Sequence, residues 1–199
     1  MKRLLIANRG EIALRILRAC RARDIETVAI YTSVDASLGY LDLADDRVCI
    51  GRQSYLEGDQ IITAALAWQC DALHPGYGFL SENADFARDV EAAGLNYVGP
   101  TPEAIALMAD KSSGREFMAD NGVPVLPGSD DLASMEDAIR QAGDMGYPVM
   151  LKASHGGGGR GMSVLGDEAA LVSTFESLRR EADAAFTSGA LYQIGRAHV

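Results

Sequence analysis

Short, unbroken apolar runs alternate with stretches of helical repeat through the first half of the chain. Arg3-Leu4-Leu5-Ile6-Ala7 and Thr27-Val28-Ala29-Ile30-Tyr31 are two such runs. Neither offers a polar face, which is the pattern of a strand covered on both sides. Between them Ile12, Ile16 and Leu17 recur at helical spacing, predicting a helix that Asn8 caps and that ends near Arg23. The unit has βαβ length and should cross over right-handed. Further strands are expected at Arg47–Ile50, Ala72–His74 and Asn96–Val98, with helices at about Ile61–Gln69 and Asn83–Ala93. The sum is an α/β fold with a doubly wound, Rossmann-like parallel sheet.

The rhythm changes after Gly99-Pro100-Thr101-Pro102. A helical stretch through Met108 and a second from Ser113 to Asn121 lead to Gly122-Val123-Pro124 and Leu126-Pro127-Gly128, where a domain boundary is expected. Beyond it come a helix at about Met135–Ala142, a strand at Tyr147–Leu151, a glycine-rich loop, a strand at Ser163–Leu165 and a helix from Glu168 to Asp183. That order predicts an α+β module. The apolar faces of Val149–Leu151 and Val164–Leu165 should need a covering layer, and aggregation is expected of the chain beyond residue 124.

The glycine-rich loop changes the picture from architecture to chemistry. Lys152 ends the first strand, Gly156-Gly157-Gly158-Gly159 follow, and Arg160-Gly161-Met162 lead into the second. Glycines remove every Cβ, so a backbone can close on an anion and point N–H groups at it. Each costs about 0.5–1 kcal/mol of chain entropy relative to alanine, more than a plain hairpin turn requires. The loop lacks the Gly-Lys-Ser/Thr of a P-loop. Its formal Gly-x-Gly-x-x-Gly spacing falls in a hairpin rather than at a strand-to-helix turn, so a dinucleotide reading fails. A phosphate flap with Lys152 beneath it remains, against the plainer reading of a loose surface hairpin.

Charge and composition narrow the partners. Lysine and arginine number 18 against 28 acidic residues, a net charge of -10. Nucleic acid and anionic membrane both need a basic face and are excluded as partners. Cys20, Cys49 and Cys70 lie in apolar runs without metal-type spacing and read as reduced core residues of a cytoplasmic protein. No stretch is long enough to span a bilayer.

Three further constellations stand at the carboxyl ends of predicted strands, where open α/β sheets bind ligands. In Asn8-Arg9-Gly10-Glu11, Arg9 and Glu11 could meet a ligand, cap the helix or pair with each other. Asp35 stands where a dinucleotide fold places its ribose acid, but no glycine fingerprint precedes it, and it reads as a loop residue. His74-Pro75-Gly76-Tyr77-Gly78-Phe79-Leu80-Ser81-Glu82-Asn83 leaves a strand, turns through two glycines and begins a helix capped near Ser81 or Asn83. Such a turn presents N–H groups, a phenol and an imidazole; alternatively Tyr77 is simply packed there.

Together these segments resemble the biotin carboxylase family. The resemblance runs from about Lys2 to Tyr192 and rests on Ile6 through Ala13, His74 through Asn83, Tyr97-Val98-Gly99-Pro100, Val123-Pro124 with Pro127-Gly128, and Lys152 through Met162. It implies an ATP-grasp enzyme in which residues 1–110 form a Rossmann-like domain that precedes the ATP-grasp fold and binds no dinucleotide. Residues 111–123 would be a helical linker, and 124–192 an incomplete ATP-grasp small lobe carrying the flap.

By motif match, Lys111 and Lys152 would contact ATP phosphates. Gly156, Gly157, Gly158, Gly159, Arg160 and Gly161 would close over them, and Met162 would pack near adenine. Tyr77 and Gly78 would face the pocket where bicarbonate and biotin meet. The implied chemistry is ATP-dependent carboxylation, through carboxyphosphate, of biotin on a carrier protein, with Mg²⁺ held by residues of the C-terminal part. A carboxyltransferase and a homodimer with Arg18 at its interface are implied too.

The family pattern fails in places. His155 stands where a small residue is usual, and Ser163 where a basic one is common. After Tyr192 the pattern expects an apolar, an acidic and a lysine residue, whereas the chain reads Gln193-Ile194-Gly195-Arg196-Ala197-His198-Val199. Residues 193–199 therefore read as a tail outside the family, the last six resembling translated sequencing adapter. The expectation is an N-terminal part of the enzyme, inactive alone and without catalytic or metal-ligating residues of its own. The alternative is a non-catalytic Rossmann-like module that binds a nucleotide or a partner.

Overall fold

In the computed structural model, which describes residues 1–52, 54–154, 161–186 and 189–195, β1 (Arg3–Ile6) is the middle strand of a five-stranded sheet. With α1 (Gly10–Arg21), β2 (Glu26–Tyr31), β3 (Asp46–Cys49), α2 (Gly58–Ala67), β4 (Ala72–His74), α3 (Ala84–Ala92) and β5 (Asn96–Tyr97) it builds the first of two units, Met1–Ala106. The strand order is β3-β2-β1-β4-β5, and every neighbouring pair is parallel.

Side chains alternate across a strand, and that alternation sorts the core into two layers. Leu5, Val28, Ile30 and Leu73 pack with Ile61, Ala65, Phe86 and Val90 of α2 and α3. Leu4, Ile6, Ala29 and Ala72 pack with Ala13, Ile16, Leu17 and Cys20 of α1. Burial of each such aliphatic side chain contributes about 1.5–3 kcal/mol, which is why strands without a polar face take the centre. The doubly wound arrangement expected from the sequence is present. Cys49 departs from its expectation: β3 lies at the sheet edge, its residues alternate in burial, and Cys49 is exposed while Cys20 and Cys70 are buried.

The second unit, Leu107–Val199, follows α4 (Pro102–Ala109), whose last residues belong to it. It contains α5 (Lys111–Asp120), α6 (Met135–Met145), β6 (Val149–Ala153), β7 (Met162–Leu165), α7 (Glu168–Phe186) and β8 (Leu191–Gly195). The antiparallel sheet has the order β7-β6-β8. Val149, Leu151, Ala153, Leu165 and Leu191 join Ala138 and Ala142 of α6 and Leu171, Phe175 and Leu178 of α7 in one core. The expected α+β module is there, and α6 and α7 cover one face of it.

β8 takes in the first three residues of the stretch read as a tail outside the family. Gln193, Ile194 and Gly195 continue the strand in register with Leu151, Met150 and Val149. On its other side Ser129 N–H donates to the Gln193 carbonyl (2.8 Å) and Gly195 N–H to the Pro127 carbonyl (2.8 Å). Backbone pairing asks little of side-chain identity, so residues that break a family pattern can still extend a sheet. Among the described residues no helix is long and apolar enough to cross a membrane.

Candidate functional site

In the first unit the strand order reverses between β1 and β4, and a crevice at such a switch point is where open sheets hold ligands. Here the chain fills it with its own amide. Asn8, buried directly after β1, donates from Nδ2 to the carbonyls of Pro75 (2.7 Å) and Tyr77 (2.9 Å). Its Oδ1 accepts from Arg9 N–H (2.8 Å). The expected cap on α1 is therefore absent: Arg9 occupies that position with no side-chain cap. Gly76 has φ +69°, and a Cβ there would lie 2.8 Å from Asn8 Nδ2, so only glycine fits.

Arg9 and Glu11 do not pair with each other. The Arg9 guanidinium grips Asp35 through Nε (2.7 Å) and Nη2 (2.5 Å). Asp35 is buried and also accepts from the Tyr55 phenol (2.7 Å) and Thr32 Oγ1 (3.2 Å). The Arg9 hydrogen bond holds the Asp35 carboxyl below its ordinary range, and burial pushes the Tyr55 phenol up. Asp35 is thus more than the loop residue the sequence suggested: its oxygens are committed to the fold, and none is left for a ribose.

Glu11, in the first turn of α1, accepts from the phenol of Tyr77, and that hydrogen bond raises the phenol's pKa. Tyr77 is 61% exposed, so the packed alternative does not hold. Gly78 sits beside it at φ +64° with open space where a Cβ would be. His74 is largely buried, its Nδ1 accepts from Gly76 N–H (3.0 Å), and burial lowers its pKa. Asn83 caps α3 by accepting from Phe86 N–H (2.9 Å), as expected. The turn offers an exposed phenol over a fixed backbone.

In the second unit the residues between the buried positions of β6 point away from α6 and α7. Register places Lys152 between Met162 on β7 and Tyr192 on β8, and Met150 between Val164 and Ile194. Met162 and Val164 are 42% and 52% exposed whereas Tyr192 is buried, so this face is open along β7, while α6 and α7 cover the other face. A strip of apolar side chains beside a lysine suits a planar base next to a phosphate, which lysine meets as a point charge.

The root of the glycine loop is firmly built. Ala153 N–H donates to the Gly161 carbonyl (2.8 Å), and Ser154 N–H to that of Ala190 (3.0 Å). Ser154 is buried and its hydroxyl bonds Asp131. Gly161 takes φ +64°. Lys111, the first residue of α5, reaches the Ser154 carbonyl through Nζ at 3.5 Å, which brings Lys111 to the same loop end as Lys152. Sequence spacing alone gave Lys111 no such place, and nothing in it pointed to the Ser154–Asp131 anchor. His155, Gly156, Gly157, Gly158, Gly159 and Arg160 lie outside the described residues. Among the described residues no group of three or more His, Cys, Asp or Glu is placed to hold a metal ion.

Comparison with known proteins bears on both units. Residues 1–105 match the family model described as biotin carboxylase, N-terminal domain. Residues 110–194 match that of the carbamoyl-phosphate synthase L chain, ATP binding domain. The chain is 50% identical over 198 residues to a biotin carboxylase of Pseudomonas aeruginosa, covering 96% of this chain and 44% of that one. It is 45% identical over 197 residues to biotin carboxylase 1 of Bacillus subtilis, with the same coverage. A Campylobacter jejuni biotin carboxylase–βγ-ATP complex superposes with TM-score 0.93 at 44% identity, covering 99% of this chain and 45% of that one. The biotin carboxylase domain dimer of Hydrogenobacter thermophilus 2-oxoglutarate carboxylase, solved with MgADP, ADP and bicarbonate, gives 0.89 at 45% identity, covering 97% and 44%. The chain spans less than half the length of these relatives.

Proposed function

The chain belongs to the biotin carboxylase family and carries part of an ATP-binding domain, and we propose that it supplies the first domain and the flap-bearing lobe of an ATP-dependent biotin carboxylase. In that reaction the γ-phosphoryl group of MgATP passes to a bicarbonate oxygen and ADP leaves. The ureido nitrogen of carrier-bound biotin then gives up its proton and takes the carboxyl group of the carboxyphosphate, and the departing phosphate takes that proton. Such chemistry asks a protein for positioning and charge neutralisation, with water kept away from a labile intermediate.

One observation carries the reading: the cross-strand pair Lys152–Met162 on the open sheet face, with Lys111 brought to the loop end two residues beyond Lys152. Lys152 and Lys111 would neutralise phosphate charge. Met162 would lie against the adenine ring, and Gly156–Gly159, Arg160 and Gly161 would close over the phosphates. Tyr77 and Gly78 would face bicarbonate and biotin. A biotin carboxyl carrier protein, a carboxyltransferase and a second copy of the chain complete the proposed assembly, in the cytoplasm. The Mg²⁺ ligands would come from sequence that the relatives have beyond this segment, so the 199-residue chain should not turn over by itself.

The test is a hybrid with residues 1–192 placed ahead of the remainder of the Pseudomonas aeruginosa biotin carboxylase. It should hydrolyse ATP in a bicarbonate-dependent way, and Lys152→Gln or Lys111→Gln should slow it by roughly 100–1,000-fold, the scale of one lost electrostatic contact in a transition state. Unchanged rates in both variants would remove the two lysines from the site. Bicarbonate-dependent turnover by the chain alone would refute its proposed incompleteness. An inactive but folded hybrid would favour a binding module instead.

A further inference from the structure

Tyr77 combines a free ring with a tightly held backbone and a committed proton. Beneath it, Asn8 is 2% exposed and uses both amide hydrogens on the carbonyls of Pro75 and Tyr77, on either side of a glycine that admits no Cβ. Above it, the phenol donates its only hydrogen to the Glu11 carboxylate. Glu11 is exposed and lies in the first turn of α1, two residues after the Arg9 that Asp35 pins. A hydrogen bond between two exposed groups adds little to stability, so the consequence of this one is directional. It fixes the ring and decides what the phenol oxygen can do. With the proton turned toward Glu11, the oxygen presents lone pairs to a ligand and acts as an acceptor. The neighbouring carboxylate also disfavours an anion at that spot.

We infer that Asn8 and Glu11 are positioning residues that present the Tyr77 phenol oxygen as an acceptor for an N–H donor of the cyclic urea of biotin, and not as a donor to bicarbonate. The inference rests on the placement of Tyr77 in the biotin and bicarbonate pocket proposed above, and adds to it which of the two substrates the phenol serves and what sets its polarity.

The hybrid enzyme tests this with free biotin as the probe. Glu11→Ala should raise the KM for biotin about 2–10-fold, the span of one hydrogen bond. The KM for bicarbonate and the biotin-independent ATP hydrolysis should stay unchanged. Glu11→Gln, whose amide oxygen still accepts, should restore part of the loss; a group needed only for folding would show no such split. Asn8 is buried and its replacement risks the fold, so the exposed Glu11 carries the measurement. If Tyr77→Ala leaves both KM values alone, the placement of Tyr77 in the pocket is wrong. If Tyr77→Ala raises the biotin KM while Glu11→Ala is silent, only the positioning role falls. A rise in the bicarbonate KM instead would overturn the acceptor assignment.

Discussion

The two sheets spend their chemistry in opposite ways. The parallel sheet is covered on both faces, and the crevice at its strand-order reversal is closed by Asn8. The antiparallel sheet is covered by α6 and α7 on one face and on the other, where Tyr192 is buried, leaves Met162 and Val164 open beside the strand that carries Lys152. The topology that usually advertises a nucleotide site has closed it with its own side chains. The plain three-stranded sheet leaves part of one face exposed. Topology therefore locates where a site could be, and the satisfaction of polar groups narrows what could bind there.

Substitutions can break or sharpen that contrast. Leu5→Ala, at a fully buried position in the middle of the parallel sheet, should lower stability by about 3–4 kcal/mol in denaturant unfolding. Val164→Ala on the open face should change it by less than about 0.5 kcal/mol. Comparable losses would mean that the face is covered after all.

Arg9→Met leaves the buried Asp35 carboxylate with Tyr55 and Thr32 as its side-chain partners among the described residues, and should cost about 1–3 kcal/mol. A neutral result would show that the closed edge does not depend on this pair.

Gln193 is fully buried on the helix-covered face, and neither atom of its amide finds a hydrogen-bond partner among the described residues. Gln193→Leu should therefore stabilise the second unit by about 1–2 kcal/mol, seen as a raised melting temperature. A destabilised variant would imply a partner for that amide.

The smallest effect belongs to His74. Burial holds its pKa below the ordinary 6.5, so the unfolded chain binds the proton more readily. Stability is full above 6.5 and declines as pH falls through that value toward the folded-state one. His74→Gln should flatten this slope in thermal melts between pH 7 and 5, and an unchanged slope would assign it elsewhere.

Much of the fold was legible in sequence because its causes are local. Continuous apolar runs such as Leu4-Leu5-Ile6 mark strands buried on both faces. A glycine run between two apolar stretches marks a hairpin, although its register, Lys152 opposite Met162, came only with the structure. What escaped depended on distant partners. Asn8 looked like a helix cap because its true acceptors, Pro75 and Tyr77, lie 67 and 69 residues away. Asp35 gave no sign of Arg9, 26 residues upstream. Cys49 followed the apolar pattern, but an edge strand has one face in water. β8 was hidden because its side chains break the family pattern, whereas its pairing with β6 uses only backbone groups.

The most direct measurement is a two-dimensional amide NMR titration of the 199-residue chain with MgATP at millimolar excess. Shifts should cluster on Met150, Lys152, Met162, Val164 and Lys111, with Asn8, Arg9 and Asp35 unmoved. Shifts centred on Asn8, Gly10 and Gly76, or none on the open face of the antiparallel sheet, would contradict a nucleotide site there.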